Sequence, residues 1–262
     1  GAFFGDNLSF ISDTTIVATQ SQGCKANDKF KYNFFLVLPA AVIVFIIYLI
    51  MGQACQEVVA DTVLWWKIIP YATVLITAAL GMNVILVLLI GNILTGIVGI
   101  ADGSYTFMQW TDSLTTGIMG MSELILISMM AGGVFALITK QGVMERIVEL
   151  ISRKIRTRKG AELSLAILVG VVNVLTANNT VAILSVGDIA KNISKRYAID
   201  PRRSASILDT TSCAVQGILP YGAQLLMASS LAGISAMSII PYLYYPLLIG
   251  IIVLASILIK KH

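Results

Sequence analysis

The sequence predicts an all-α integral membrane protein whose apolar helices are in places broken at membrane depth. Three observations carry this. Hydrophobic residues make up 57% of the chain and charged residues 12%, with a mean hydropathy of +0.86; a soluble domain is about 45–50% apolar and about 25% charged. The apolar residues come in runs long enough for membrane helices. Acidic and amide residues, with glycine and proline, interrupt several runs near their middles. Irregular backbone at that depth survives only where protein or a watery cavity covers it.

In chain order, residues 1–19 form an apolar stretch interrupted by GDNLSFISDTT, Gly5 to Thr15, and read as a broken helix. The start lacks an initiator Met and begins inside that stretch, so an N-terminal portion is expected to precede it. A polar loop, Gln20 to Lys31, carries Lys25, Lys29 and Lys31. Residues 34–51 are a span, since a ~30 Å bilayer core takes about 20 residues at 1.5 Å each. Residues 52–67 read as an extracytoplasmic linker with Glu57, Asp61 and the Trp65-Trp66 pair, suited to the headgroup belt. The apolar run 68–100 is too long for one span; Gly81 and Asn83 offer a turn, which gives spans 68–80 and 83–100. Residues 101–120, with Asp102, Trp110 and Asp112, lie at the surface. The next span is 121–139, with Glu123 near its start and Gly132-Gly133 suited to close helix contact.

Residues 141–159 read as an amphipathic helix on an anionic membrane face, with Val143, Ile147, Leu150, Ile151 and Ile155 opposite Arg146, Arg153, Lys154, Arg156 and Arg158. A solvated linker is the alternative. Residues 161–190 are apolar but broken by NVLTANNT, Asn173 to Thr180, between two basic flanks. Two full spans do not fit, so the segment reads as a re-entrant helical hairpin with its tip, Ala177–Thr180, deep in the protein; two short packed spans are the alternative. Residues 204–228 are a second broken helix around LDTTSCAVQGILPYGAQ. Pro220 removes a donor and clashes one turn back, at ~3 kcal/mol, and Gly217 and Gly222 weaken the same turn. Residues 239–259 are the last span, closed by Lys260, Lys261 and His262.

If the basic segments lie in the cytoplasm, they place 17 of the 18 Lys and Arg residues there, and Glu57, Asp61, Asp102 and Asp112 fall outside. That bias puts the C-terminus inside. The two broken helices then run in opposite directions, and both carry Asp-x-x-Ser: Asp6 with Ser9, Asp209 with Ser212. Each precedes a proline-containing span. An inverted repeat predicts such a pairing, with residues 1–51 the end of a first repeat and 68–262 the second.

The three cysteines, Cys24, Cys55 and Cys213, show no metal spacing, and the single histidine is His262. No cofactor is expected. Asp6, Asp13 and Asp209 stand in apolar helices, where an aspartate costs ~2.5–3.5 kcal/mol and usually faces a cavity or a partner. No Lys or Arg lies inside a predicted span, so a mobile cation or a proton is expected to neutralise them. The oxygens of Ser9, Ser12, Thr14, Asn178, Asn179, Thr180, Ser212 and Gln216 suit hard cations, and Asp13 and Asp209 are the expected Na⁺ carboxylates, sharing one enclosed pocket. Helix capping by these aspartates is the structural alternative. An intramembrane aspartyl protease would need Gly-x-Gly-Asp, and Phe4 precedes Gly5-Asp6 here.

The motif GDNLSFISDTT closely resembles the NhaC-type sodium/proton antiporter family: Gly5, Asp6, Ser9, Ile11, Ser12, Asp13, Thr14 and Thr15 match its pattern, as do Gly23-Cys24. Phe10 stands where a proline is usual, which implies a milder first break. ANNTVAI and LDTTSCAVQGILPYGAQ resemble the family's second-repeat hairpin and broken helix. The resemblance implies an inverted-repeat transporter exchanging Na⁺ for H⁺ across the bacterial cytoplasmic membrane by an elevator-like or rocking movement, and a chain lacking an N-terminal part of the usual member. Some members exchange organic solutes, so a cation- or proton-coupled exchanger of small organic solutes, malate- or lactate-like or amino acids, is the alternative. Expected partners are the lipid bilayer, Na⁺ and H⁺, with a homodimer as an option and no nucleic acid.

Overall fold

A computed structural model describes residues 2–8, 12–52, 64–80, 82–152 and 155–259. All regular structure among them is helical. Ser9 lies outside the described residues, as do Cys55, Glu57, Asp61, Lys260, Lys261 and His262. The chain divides into two compact units, Gly1–Gln53 with Glu123–His262, and Ala54–Ser122.

In the first unit, α1 (Ala2–Leu8) and α2 (Asp13–Gln22) are followed by α3 (Ala26–Gly52). Ser12 caps α2, its side chain accepting from the Thr15 amide at 3.3 Å, and Gly23 closes it at φ 74°, a left-handed conformation that glycine adopts without strain. The next span is expected from Phe34, but α3 begins at Ala26 and takes in the second half of the expected loop, whose first residues belong to α2. Its buried stripe, Lys29, Asn33, Val37, Ala40 and Val44, repeats every three or four residues. The residues between face outward: Phe35 is 80% exposed and Phe45 64%. An apolar outer surface with polar groups on the packed face is what a helix in lipid requires.

The second unit holds a 3₁₀ turn (Trp65–Ile68), α4 (Ile69–Ala79), α5 (Val84–Ala101) and α6 (Phe107–Gly120). Asn83 caps α5, and α4 and α5 approach so closely that a Cβ on Gly91 would come 2.5 Å from Val74. Thr106 and Gln109 form a reciprocal capping box that starts α6.

The first unit resumes with α7 (Ser122–Lys140) and α8 (Val143–Ser152). α8 is shorter than the amphipathic helix expected over 141–159, because Ile155 is buried and Thr157, extended, caps a new helix. That helix is α9 (Arg158–Thr176); it turns through Ala177, at φ 52°, and Asn178 caps α10 (Asn179–Arg196). Asp200 caps α11 (Pro201–Gln216), which has proline in its first turn. The helix stops at Gly217 and resumes after Gly222 as α12 (Ala223–Ala232); α13 (Ala236–Ile239), a 3₁₀ turn and α14 (Tyr244–Ile259) complete it. α14 starts later than the expected 239 because that 3₁₀ turn, Ile240–Tyr242, intervenes.

α11 sits at the centre, packed by α1, α2, α3, α9, α10 and α14. Twelve of its sixteen residues are buried, Ser204, Ser206, Thr210 and Ser212 among them. Thr210 and Ser212 donate to carbonyls three or four residues back, which satisfies hydroxyls that would otherwise be costly to bury. Where α2 meets α10, a Cβ on Gly187 would lie 2.7 Å from that of Ser21. Three described stretches are long and apolar enough to cross a membrane, Ala26–Gly52, Phe107–Lys140 and Arg158–Thr176, and Ala223–Ala232 with Ala236–Tyr242 is a pair bent by 97°.

Candidate ion-binding site

The centre of α11 carries Asp209, which has no exposed surface. Opposite it, α3 presents Lys29 and Asn33, one turn apart on its buried stripe and equally enclosed. Lys29 Nζ lies 2.5 Å from Asp209 Oδ2, and it donates to Thr15 Oγ1 at 2.7 Å and to the Asn7 carbonyl at 3.4 Å. Its three ammonium protons are thereby used. Asn33 donates to the same Asp209 oxygen at 3.3 Å and to the Asn7 carbonyl at 3.1 Å. Asn7 donates to Tyr245 Oη at 3.2 Å and to the Phe3 carbonyl at 3.0 Å.

This overturns the expectation that no lysine lies among the embedded carboxylates. Two charges taken out of water together survive because each neutralises the other. Three of its oxygens are not satisfied: Asp209 Oδ1, Asn7 Oδ1 and Asn33 Oδ1 are buried without a hydrogen-bond partner among the described residues. The amide orientations are set by the network, since each NH₂ faces acceptors. A buried acceptor left unmade costs ~1–3 kcal/mol, so these oxygens favour a donor or a cation beside them.

The other expected site residues fall around this cluster. Asp6, half-buried in α1, lies within electrostatic range of Asp13, Asp209 and Lys29. Its carbonyl accepts from Ser12 Oγ at 3.0 Å and Thr15 Oγ1 at 3.2 Å, and Ser12 Oγ lies 3.2 Å from Thr14 Oγ1. Asp13 is exposed; its carboxylate accepts from Thr180 Oγ1 at 2.6 Å and the Thr14 amide at 2.9 Å. The enclosed pocket expected for Asp13 and Asp209 is therefore not formed by that pair: Asp209 is enclosed with Lys29, Asn33 and Asn7, while Asp13 ties α2 to the start of α10.

At the turn between α9 and α10, Asn178 and Asn179 are occupied in capping: Asn178 Oδ1 accepts from Val181 and Asn179 Oδ1 from Thr180. Asn179 also donates to Cys213 Sγ at 3.8 Å. Gln216 donates to the Ala177 carbonyl at 2.9 Å, joining that turn to the end of α11, and Asn173 donates to the Ser212 carbonyl at 2.7 Å. Gln216 Oε1 and Asn173 Oδ1 are further buried oxygens without a partner among the described residues. At the break, a Cβ on Gly217 would collide with Pro246, and one on Gly222 would lie 3.0 Å from Gln216 Nε2. Pro220 stands in the turn between them.

Sequence reasoning missed Lys29, Asn33, Asn7 and Tyr245. The signal for two of them was present: Lys29 and Asn33 extend the helical stripe of Val37, Ala40 and Val44 backward by two turns. It also missed a second enclosed pair. Arg203, counted among the cytoplasmic cations, donates to Glu162 Oε2 at 2.9 and 3.0 Å, with both side chains buried, and stacks near the Tyr32 ring at 5.9 Å. At two helix ends, the Arg202 guanidinium beside Asp200 holds that carboxyl below its usual range, and hydrogen bonds from Lys67 and Ser104 do the same for Asp102.

The model of the Na⁺/H⁺ antiporter family matches residues 53–260. The chain belongs to the Na⁺/H⁺ antiporter family. Among curated relatives, it is 25% identical to the Na⁺/H⁺ antiporter NhaC of Alkalihalophilus pseudofirmus over 94% of this chain and 60% of that protein. It is 22% identical to the malate-2H⁺/Na⁺-lactate antiporter of Bacillus subtilis, over 93% and 59%, and 22% identical to NhaC of Bacillus subtilis, over 94% and 62%. The chain thus spans about 60% of the length of the curated relatives it matches. No solved structure matches it.

Proposed function

We propose that the intact protein exchanges Na⁺ for H⁺ across the bacterial cytoplasmic membrane, with Asp209 as the carboxylate for which the two ions compete. The observation that carries this is the enclosure of Asp209 in the central helix with one oxygen held by Lys29 and the other unpartnered. Beside the Lys29 pair, a proton and a sodium ion are mutually exclusive ways to add positive charge at that second oxygen. Lys29 lets the empty carrier remain neutral. Asp6 and Asp13, with Ser12, Thr14 and the Asn178–Thr180 turn, line the approach to Asp209 in this reading. The membrane potential contributes ~2.3 kcal/mol per elementary charge per 100 mV, so unequal stoichiometry turns it into a drive.

Two further parts belong to the proposal. The interrupted pairs α1–α2 and α11–α12 support two inverted repeats; the tight turn at Ala177-Asn178 fits both the re-entrant hairpin read at 161–190 and its alternative of two packed spans, and the length of Arg158–Thr176 favours the latter. The basic residues around 140–159 and 191–202 support a cytoplasmic C-terminus, although Lys29 and Arg203, being buried, no longer count toward it.

The malate/lactate relative raises solute exchange as a second reading. A carboxylate substrate wants an available buried cation, and among the described residues Lys29 and Arg203, the buried cations, are each paired with a carboxylate. That favours the inorganic cation. In everted vesicles containing the intact protein, adding Na⁺ should relieve an imposed acid gradient, and Asp209→Asn should abolish the response. Unchanged exchange in that variant refutes the proposal.

A further inference from the structure

We propose that the Lys29 ammonium is a tethered occupant of the sodium seat, and that the seat is the oxygen set around it: the Asp209 carboxylate, Thr15 Oγ1, the Asn7 carbonyl and the side-chain oxygens of Asn7 and Asn33. This rests on the exchange reading above and names its ligands. Nζ stands 2.5 Å from Asp209 Oδ2, 2.7 Å from Thr15 Oγ1 and 3.4 Å from the Asn7 carbonyl. A monovalent cation ringed by a carboxylate, a hydroxyl and a carbonyl is also what a sodium site looks like, since hard cations choose oxygen.

The second observation is independent of the lysine. Asp209, Asn7 and Asn33 are each completely buried, and each keeps one side-chain oxygen without a partner among the described residues. The ammonium, held on a four-carbon stem, reaches Asp209 Oδ2, Thr15 Oγ1 and the Asn7 carbonyl and leaves those three side-chain oxygens unmet. An untethered ion is free to settle among all of these oxygens. Three of the ligands belong to α1 and α2, the lysine and Asn33 to α3, and Asp209 to α11, so exchanging ammonium for ion alters how these helices hold one another. Lys29 is then a competitor of Na⁺ and the oxygens are its ligands, and removing the two kinds of residue must act in opposite directions.

The test is ²²Na⁺ binding to the purified intact protein in detergent, with choline as the inert cation. Lys29→Met should tighten Na⁺ binding at least tenfold, whereas Asn33→Leu and Thr15→Val, with Lys29 in place, should weaken it at least tenfold. A folded Lys29→Met protein whose Na⁺ affinity is unchanged or lost overturns the proposal. Should Lys29→Met fail to fold, the other two decide: wild-type affinity in both overturns it. Absence of Na⁺/H⁺ exchange by wild-type vesicles would instead refute the function while the opposed binding changes still identify the seat.

Discussion

The Lys29–Asp209 pair makes a sharp prediction about stability. Lys29→Met in Na⁺-free choline buffer leaves Asp209 as an uncompensated charge with no exposed surface. Breaking a buried pair by removing one partner costs about 3–5 kcal/mol, whereas replacing both partners by neutral groups of similar volume is close to neutral. Asp209→Asn strands the lysine in the same way. Its cost lies toward the lower end, because Nζ keeps Thr15 Oγ1 at 2.7 Å and the Asn7 carbonyl at 3.4 Å. The double variant Lys29→Met/Asp209→Asn should recover most of the loss. A double-mutant cycle on reversible unfolding in detergent should therefore give a coupling of about 3 kcal/mol or more. Additive single effects, or a cost under about 1 kcal/mol for Lys29→Met, would show that the two charges do not share an enclosed site.

Other outcomes follow from close approaches and from the surface. Gly187→Ala places a Cβ 2.7 Å from that of Ser21, which is fixed to the α2 backbone, so the α2–α10 contact must open; a loss of about 1–3 kcal/mol is expected, read as a lower unfolding midpoint. Asp102 accepts from Trp66 Nε1 at 3.2 Å, and Lys67 and Ser104 hold its carboxyl below the usual range. A depressed carboxyl keeps its contribution above its unfolded value of about 3.9 and loses it as pH falls through the folded one. Trp66 emission should thus stay constant from pH 7 to 5 and change only below that unfolded value, and Asp102→Asn should remove the change.

The parts of this molecule that depend on neighbours in the chain could be read without coordinates. Proline and two glycines in one turn interrupt α11 before α12 wherever it packs, because the missing donor and the lost Cβ atoms are local facts. Asn178 caps α10 for the same kind of reason, and the apolar composition alone demands a lipid-facing surface. Tertiary structure decided which polar residues meet. Lys29 looked like a loop cation because three lysines stood close together in a polar stretch, and only the packing of α3 against α11 shows that it is enclosed. Arg203 misled in the same way until Glu162 of α9 was placed beside it. Asp13, a leading candidate by motif, is exposed and accepts from Thr180, while Asn33 donates to the buried carboxylate and the Asn7 carbonyl accepts from Lys29 and Asn33. Local backbone chemistry determines where a helix starts and stops, but whether a charge sits in water or against an opposite charge depends on segments far apart in the chain.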